Sequence, residues 1–297
     1  MNTKTNAMII NELKVINLFL ELDDFVIAFE RKIAEHMLEN TSPQSVNRPE
    51  ISHSEIMCIE ILYHHSGYKC FQYYYKQEVE QGYLKPYFPS APSYNRFVQL
   101  KPRILVYLVL YLNLCRLGQM CGIYYADSTS MAVCKNRRIP GHKVFKRQAK
   151  RAKTSTGWFY GFKLFLVINA FGEIMNAFFA PANLADNNTE IMVKLFSKLK
   201  GLVFADKGFI NQKASEILLE KGLLLITKVK KNMKNRLLKM EHKLLLRKRG
   251  VIESVNDILK TVCDIEHSRH RSPINALVNL YAGLCNYSWL DRKPSIF

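Results

Sequence analysis

From residue 123 onwards the apolar residues leave helical spacing and gather into short runs broken by turn residues. That change of period restricts the second half of the chain to a fold built on a sheet. IYYADST (123–129) reads as a strand ending in a carboxylate. FYGFKLFLVIN (159–169) and EIMNAFFAPA (173–182) read as two longer strands joined by a turn at Ala170, Phe171 and Gly172. A helix is expected over 188–200, a short strand in LVFADKG (202–208), a helix over 211–221 and a strand in LLLITKV (223–229). Helical spacing then resumes and contains Glu253. Three strands, helix, strand, helix, strand, helix is the order of an α/β fold, a mixed sheet flanked by helices.

Ahead of that point the pattern is helical. Residues 9–38 mix Ile16, Phe19, Leu20, Phe25, Ile27 and Phe29 with charges, and ENTSPQSVNRPE (39–50), with two prolines, reads as a linker. Ser52 and Glu55 form a capping box before Ile56, Ile59 and Leu62, so a helix should start there. The Tyr-rich segment 68–87 is expected to be helical, and FPSAPS (88–93) to turn. Ser93 can then cap a helix through Tyr94, Asn95, Arg96 and Phe97 into ILVYLVLYL (104–112). A helix, a turn and a second helix opening on polar residues is the layout of a DNA-reading helix-turn-helix, and equally of an ordinary helical packing element. The expected division is a helical N-terminal region over 1–118 and a catalytic domain over 119–297. The run 104–112 is well short of the roughly 20 apolar residues a bilayer span needs, so a buried helix and no membrane association are expected.

The formal charge of +18, from 43 Lys and Arg against 25 Asp and Glu, calls for a polyanionic partner, most commonly nucleic acid. Ribosome-associated and membrane-surface proteins share such an excess, so charge alone specifies only phosphate binding. Seven cysteines, odd in number and without a C-x-x-C pair, argue against a disulfide framework and a zinc ribbon and fit a reducing cytoplasm. MNTKTNAMIINELK at the N-terminus has no long apolar run and no cleavage-like site, so no signal peptide is expected.

The chemistry lies in the carboxylates. Phosphodiester cleavage with two metal ions needs two or three carboxylates converging from different elements, and magnesium, satisfied by oxygen ligands and water, requires no His or Cys. Asp127 and Asp206 each follow an apolar run, and each precedes turn-forming residues: Ser128 and Thr129, Lys207 and Gly208. Either alone is equally a helix cap or turn residue. In LLLRKRGVIESVNDILK (244–260), Arg249, Glu253, Asn256 or Asp257, and Lys260 share one helical face. Such a stripe suits a solvated surface, and also a site in which Glu253 binds metal while Arg249 and Lys260 hold phosphates. Asp186 is a rival carboxylate, but beside Asn187 and Asn188 it reads as a turn or helix cap.

These blocks resemble the DDE transposases of bacterial insertion sequences, in the broad IS4-like group. The spacing of Arg249, Glu253 and Lys260 matches the signature Y-x-x-R-x-x-x-E-x-x-x-x-x-x-K, with Leu246 where the signature has tyrosine. ADSTS around Asp127, GWFYGFKLFLVIN, ADKGF around Asp206 and HSRHRS (267–272) are similar to blocks of the same enzymes, in the same order. The element order above matches the ribonuclease-H-like core of that family. The resemblance implies that Asp127, Asp206 and Glu253 bind two Mg2+ ions, with Mn2+ able to substitute. It implies that the enzyme cleaves at a transposon end, and that the freed 3′-hydroxyl attacks a target strand. Double-stranded DNA, as inverted-repeat ends and target, is the implied partner, and a homo-oligomer the implied assembly.

Two basic stretches, 135–153 with nine Lys or Arg and no acid and 228–249 with ten against Glu241, are candidate groove walls for the DNA backbone. Trp158 and Phe159 read as core rather than base-stacking residues. Cys263, His267 and His270 have helical spacing but lack a fourth zinc ligand, and Arg269 and Arg271 beside them are candidate phosphate contacts. A ribonuclease-H-like nuclease without strand transfer, and a DNA-binding protein that has lost catalysis, remain the alternatives.

Overall fold

The computed structural model describes residues 11–37, 51–154, 157–228, 238–266 and 270–297. Over these residues the chain divides into two compact units, Met1–Cys115 with Thr261–Ile265 and Arg271–Trp289, and Arg116–Lys260 with Glu266–His270 and Leu290–Phe297.

The first unit is helical. It contains α1 (Glu12–Met37), α2 (His53–His65), α3 (Phe71–Tyr74), α4 (Tyr94–Leu100) and α5 (Leu105–Cys115). The capping box forms as the sequence indicates: the Glu55 N–H donates to Ser52 Oγ (3.1 Å) and the Ser52 N–H to Glu55 Oε2 (2.7 Å). The helix of the Tyr-rich segment is shorter than expected, since α3 runs into one π-helical stretch and stops at Glu80. Its rings pack on one another, with Tyr75 4.6 Å and Phe71 5.8 Å from Phe97 between centroids. Ser93 stands at the start of α4 but its side chain caps nothing; the Tyr94 N–H is taken by Glu80 Oε1 at 3.0 Å. A last helix over Pro273–Ser288 packs on α2 and α5, so the C-terminal part of the chain departs from the 1–118 and 119–297 division expected from sequence.

A 3-10 turn joins α4 to α5, making one helical rod over Tyr94–Cys115, 22 residues long. By length and composition alone this rod could cross a membrane, which the nine-residue apolar run on its own did not indicate. It carries a buried cation, however. Lys101 Nζ sits 2.8 Å from Glu60 Oε1 and 4.0 Å from the centre of the Phe71 ring. Burial raises the Glu60 carboxyl above its ordinary range and Lys101 pulls it back.

The second unit is built on six strands: β1 (Ile123–Cys134), β2 (Lys150–Thr154), β3 (Gly157–Asn169), β4 (Ile174–Pro181), β5 (Gly201–Ala205) and β6 (Leu223–Thr227). β3 pairs antiparallel with β1 on one side and with β2 and β4 on the other, while β1, β5 and β6 run parallel. This is the ribonuclease-H-like order. The β3–β4 hairpin turns at Ala170, Phe171 and Gly172 as expected, with Gly172 at φ 76°, where a side chain is disfavoured. β2 lies in a stretch read from sequence only as a basic run.

Strand alternation divides the sheet into two faces. Tyr124 and Ala126 of β1 and Phe165 and Val167 of β3 bury against α6 (Thr189–Leu195) and α7 (Gln212–Glu220) through Met192, Leu195, Ala214 and Leu218. On the other face Tyr125 stacks on Phe204 and donates to the Leu245 carbonyl (3.2 Å) in α8 (Met240–Arg247). α9 (Gly250–Thr261) follows α8, and the helix Pro273–Ser288 is α10. The helix expected through 244–260 is therefore broken. Gly250 marks the start of α9, and Leu246, at the position of the signature tyrosine, is buried.

The buried pair gives a stability prediction. Lys101→Met should cost about 3–5 kcal/mol by leaving Glu60 uncompensated, and adding Glu60→Leu should restore most of that. Urea unfolding followed by far-ultraviolet circular dichroism checks both, and a Lys101→Met protein as stable as the parent would show that the pair contributes nothing.

Candidate active site

Asp127 is not at a strand end. β1 continues to Cys134, but its parallel pairing with β5 stops at Ala126 opposite Ala205, so Asp127 is the first residue of β1 beyond the point where β5 gives out. Asp206 follows Ala205 in extended conformation (φ −73°, ψ 167°), putting the two aspartates side by side just past the last paired residues of β1 and β5. Both share the parity of Tyr125 and Phe204, the face that α8 and α9 cover. Asp206 holds the cap position of a short 3-10 turn, yet its side chain makes no capping bond, so the simple cap reading does not apply to it.

α9 supplies the remaining polar groups. Asn256 Nδ2 donates to Asp127 Oδ2 at 3.2 Å. Arg249, in the turn before α9, donates from Nη2 to Glu253 Oε1 at 2.5 Å and holds Nη1 3.8 Å from Asp127 Oδ1. Arg249 thus stands between two of the three acids. Buried Nη1 has no hydrogen-bond partner among the described residues, which leaves an N–H to offer a phosphate oxygen. Burial pushes the Asp127 carboxyl up to about 6. Arg249 and the Ser128 backbone N–H act to lower it, and the charges of Glu253 and Asp206 raise it further. All three acids therefore share one electrostatic environment.

Among the described residues no three His, Cys, Asp or Glu side chains form a group able to hold a metal ion. Glu253 is held by Arg249. The donor set nevertheless fits a hard divalent cation. It is all oxygen, and the mutual repulsion that raises Asp127 is what a cation between the acids would relieve.

The other sequence candidates fall in several places. Lys260 donates to the Ser130 carbonyl (2.6 Å) and lies 3.3 Å from Glu266 Oε2; Glu266, which also accepts from the Ala132 N–H at 3.0 Å, was not foreseen. In the helical unit Tyr94 packs near the Phe71 and Tyr75 rings, at 6.3 and 6.0 Å between centroids. Asn95, Arg96 and Arg271 are exposed, and the positive charge of Arg271 acts on the Tyr94 hydroxyl. Arg269 and His267 lie outside the described residues, as do 229–237 of the second basic stretch. Cys263 is buried, accepts from Asn286 Nδ2 (3.5 Å) and has its thiol pushed up to about 12 by burial, which disfavours the thiolate a zinc site needs.

Two readings are corrected. Trp158 is 59% exposed rather than core; it lies where β3 has lost β1 and pairs only with β2, and Lys153 Nζ stands 6.0 Å from its ring. Asp186 lies in a turn, as expected, but caps no helix. Asn188 caps α6, accepting from the Ile191 N–H, while Asp186 Oδ1 accepts from Ser128 Oγ and Lys163 Nζ, both at 2.9 Å. A sequence signal existed: Lys163 is the one cation inside an apolar strand, and an inward lysine needs a carboxylate.

The raised Asp127 group has a consequence for stability. Its folded-state value near 6 exceeds the ordinary 3.8, so the stability it contributes is complete below about pH 4 and is lost as pH rises through 6. With chelator present, Asp127→Asn should be more stable than the parent at pH 8 by roughly 1–3 kcal/mol, with the gap closing near pH 4. Thermal unfolding across that range tests this, and a variant less stable at pH 8 would contradict it.

The family model described as "Transposase DDE domain" matches residues 117–273, a span that takes in the whole sheet and α6 to α9. No curated protein matches the chain. Among solved structures, one similar chain is that of the cryo-EM structure of the piggyBac transposase synaptic complex with hairpin DNA. It has a TM-score of 0.49 at 11% identity, with 97% of this chain and 76% of that one covered.

Proposed function

The chain belongs to the Transposase DDE domain family, and from that premise we propose that it cleaves and joins DNA at the ends of an insertion sequence of the IS4-like group. One observation carries the reading. Asp127 and Asp206 follow directly opposed residues of neighbouring parallel strands and share one face, and Glu253 on α9 adds its charge to theirs. A face that merely needed solvation would have no cause to set two acids side by side with a third acting on them through its charge.

Asp127, Asp206 and Glu253 would hold two Mg2+ ions, with Mn2+ able to substitute, which supply activation of the attacking oxygen and charge stabilisation at the leaving one. The protein's own groups do the positioning. Asn256 fixes the Asp127 carboxylate, and Arg249 keeps the acids from repelling one another until a phosphate arrives to take its free N–H. Lys260, already turned toward β1, places a second cation beside the same strand. The nine Lys and Arg of 135–153 are all exposed and form a surface suited to a DNA backbone. Double-stranded DNA is the partner proposed, bound by a homo-oligomer that pairs two element ends.

The experiment is a strand-transfer assay with labelled element ends, Mg2+ and supercoiled target. The parent should cleave and join, and Asp206→Asn should lose both by at least about 1000-fold while keeping its DNA affinity. Cleavage without joining would reduce the protein to a nuclease, and a parent that does neither would remove the catalytic reading. Separately, replacing Arg137, Arg138, Lys150 and Arg151 with glutamine should flatten the dependence of log K on log salt by roughly 2–4 units. A slope that does not move would place the DNA elsewhere.

A further inference from the structure

We propose that Asp186 is a positioning residue. From the face of the sheet opposite the three acids, it sets the separation of Asp127 and Asp206, and with it the affinity of the site for divalent cations. The inference rests on the metal reading above and deepens it.

Asp186 touches both chain segments that matter. Ser128, whose Oγ donates to Asp186 Oδ1 at 2.9 Å, directly follows Asp127, and the Ser128 backbone N–H acts to lower the Asp127 carboxyl. One residue therefore links the two acids through its main chain on one side and its side chain on the other. On its second oxygen Asp186 presses against the segment after Asp206. A Cβ at Gly208 would lie 2.9 Å from Asp186 Oδ2 and 3.4 Å from its Cβ, so only glycine fits there without displacing the carboxylate.

The contact is itself anchored. Lys163 Nζ, 19% exposed, holds Asp186 Oδ1 at 2.9 Å and the Leu184 carbonyl at 3.0 Å. Asn211, which caps α7, donates to the Asn187 carbonyl (2.7 Å) and Thr189 Oγ1 (2.9 Å). The loop 184–189 is thus bonded to the segments downstream of both aspartates, and it crosses the gap where β1 no longer has β5 as a neighbour. With no backbone ladder to hold the two strands there, this side-chain bridge takes over the spacing. Groups outside the ligands that orient them commonly change metal affinity by about 10–100-fold when removed.

The test is Mn2+ binding to the full-length protein without DNA, read by the electron paramagnetic resonance signal of free Mn2+. Asp186→Asn keeps an acceptor for Ser128 but loses the ion pair, Ser128→Ala removes one hydroxyl, and Gly208→Ala pushes on the carboxylate. Each should weaken Mn2+ binding by about 10-fold, with the metal-free melting temperature of Ser128→Ala unchanged. End cleavage by Asp186→Asn should recover when Mn2+ is raised by a similar factor. A parent that binds Mn2+ and variants that bind it equally well would overturn the role of Asp186 alone. A parent that binds none would overturn the metal reading and this inference with it. Weaker binding matched by an equal fall in the metal-free melting temperature of Ser128→Ala would assign the bridge to stability and not to positioning.

Discussion

Like charges brought out of water repel, and the second unit is arranged around that cost. Asp127 is largely buried, with Asp206 and Glu253 close enough to raise its carboxyl further. Left alone, such a group would take up a proton or move apart. Arg249 keeps it in place by standing between Asp127 and Glu253. The guanidinium balances the two acids, and its Nη1 has no hydrogen-bond partner among the described residues.

The sheet makes this arrangement possible through its parity and its uneven strand lengths. Period-two alternation sends Asp127 and Asp206 to one face and Ser128 and Lys163 to the other, so a single stretch of β1 serves two clusters. β5 is only five residues long, whereas β1 runs on for eight residues past its end. The carboxylates occupy the resulting notch. α8 and α9 close one side of it, and the loop before α6 braces the other. The break between α8 and α9 brings Arg249 out of the helix and lets it reach across to β1.

Much of this was readable in the order of residues. The switch from helical to alternating spacing at 123, the hairpin turn at Gly172, the capping box at Ser52 and the signature spacing of Arg249, Glu253 and Lys260 are all local patterns, and local patterns survive without knowledge of the fold. Three things were not readable. Ser93 makes no side-chain cap, and the first N–H of α4 goes to Glu80, which only folding brings near. Trp158 is exposed because β3 outruns its partner. Asp186 resembled an ordinary turn residue because its partners, Ser128 and Lys163, are 58 and 23 residues away.

By itself, then, the sequence determined the elements, their order and which acids were worth watching, because period, turn chemistry and spacing act over a few residues. The tertiary structure alone decided what those acids face. Strand register made Asp127 and Asp206 neighbours, the helix break put Arg249 between Asp127 and Glu253, and packing gave Asp186 its two donors. Register and packing depend on contacts between distant residues, and no local pattern in a single chain encodes them.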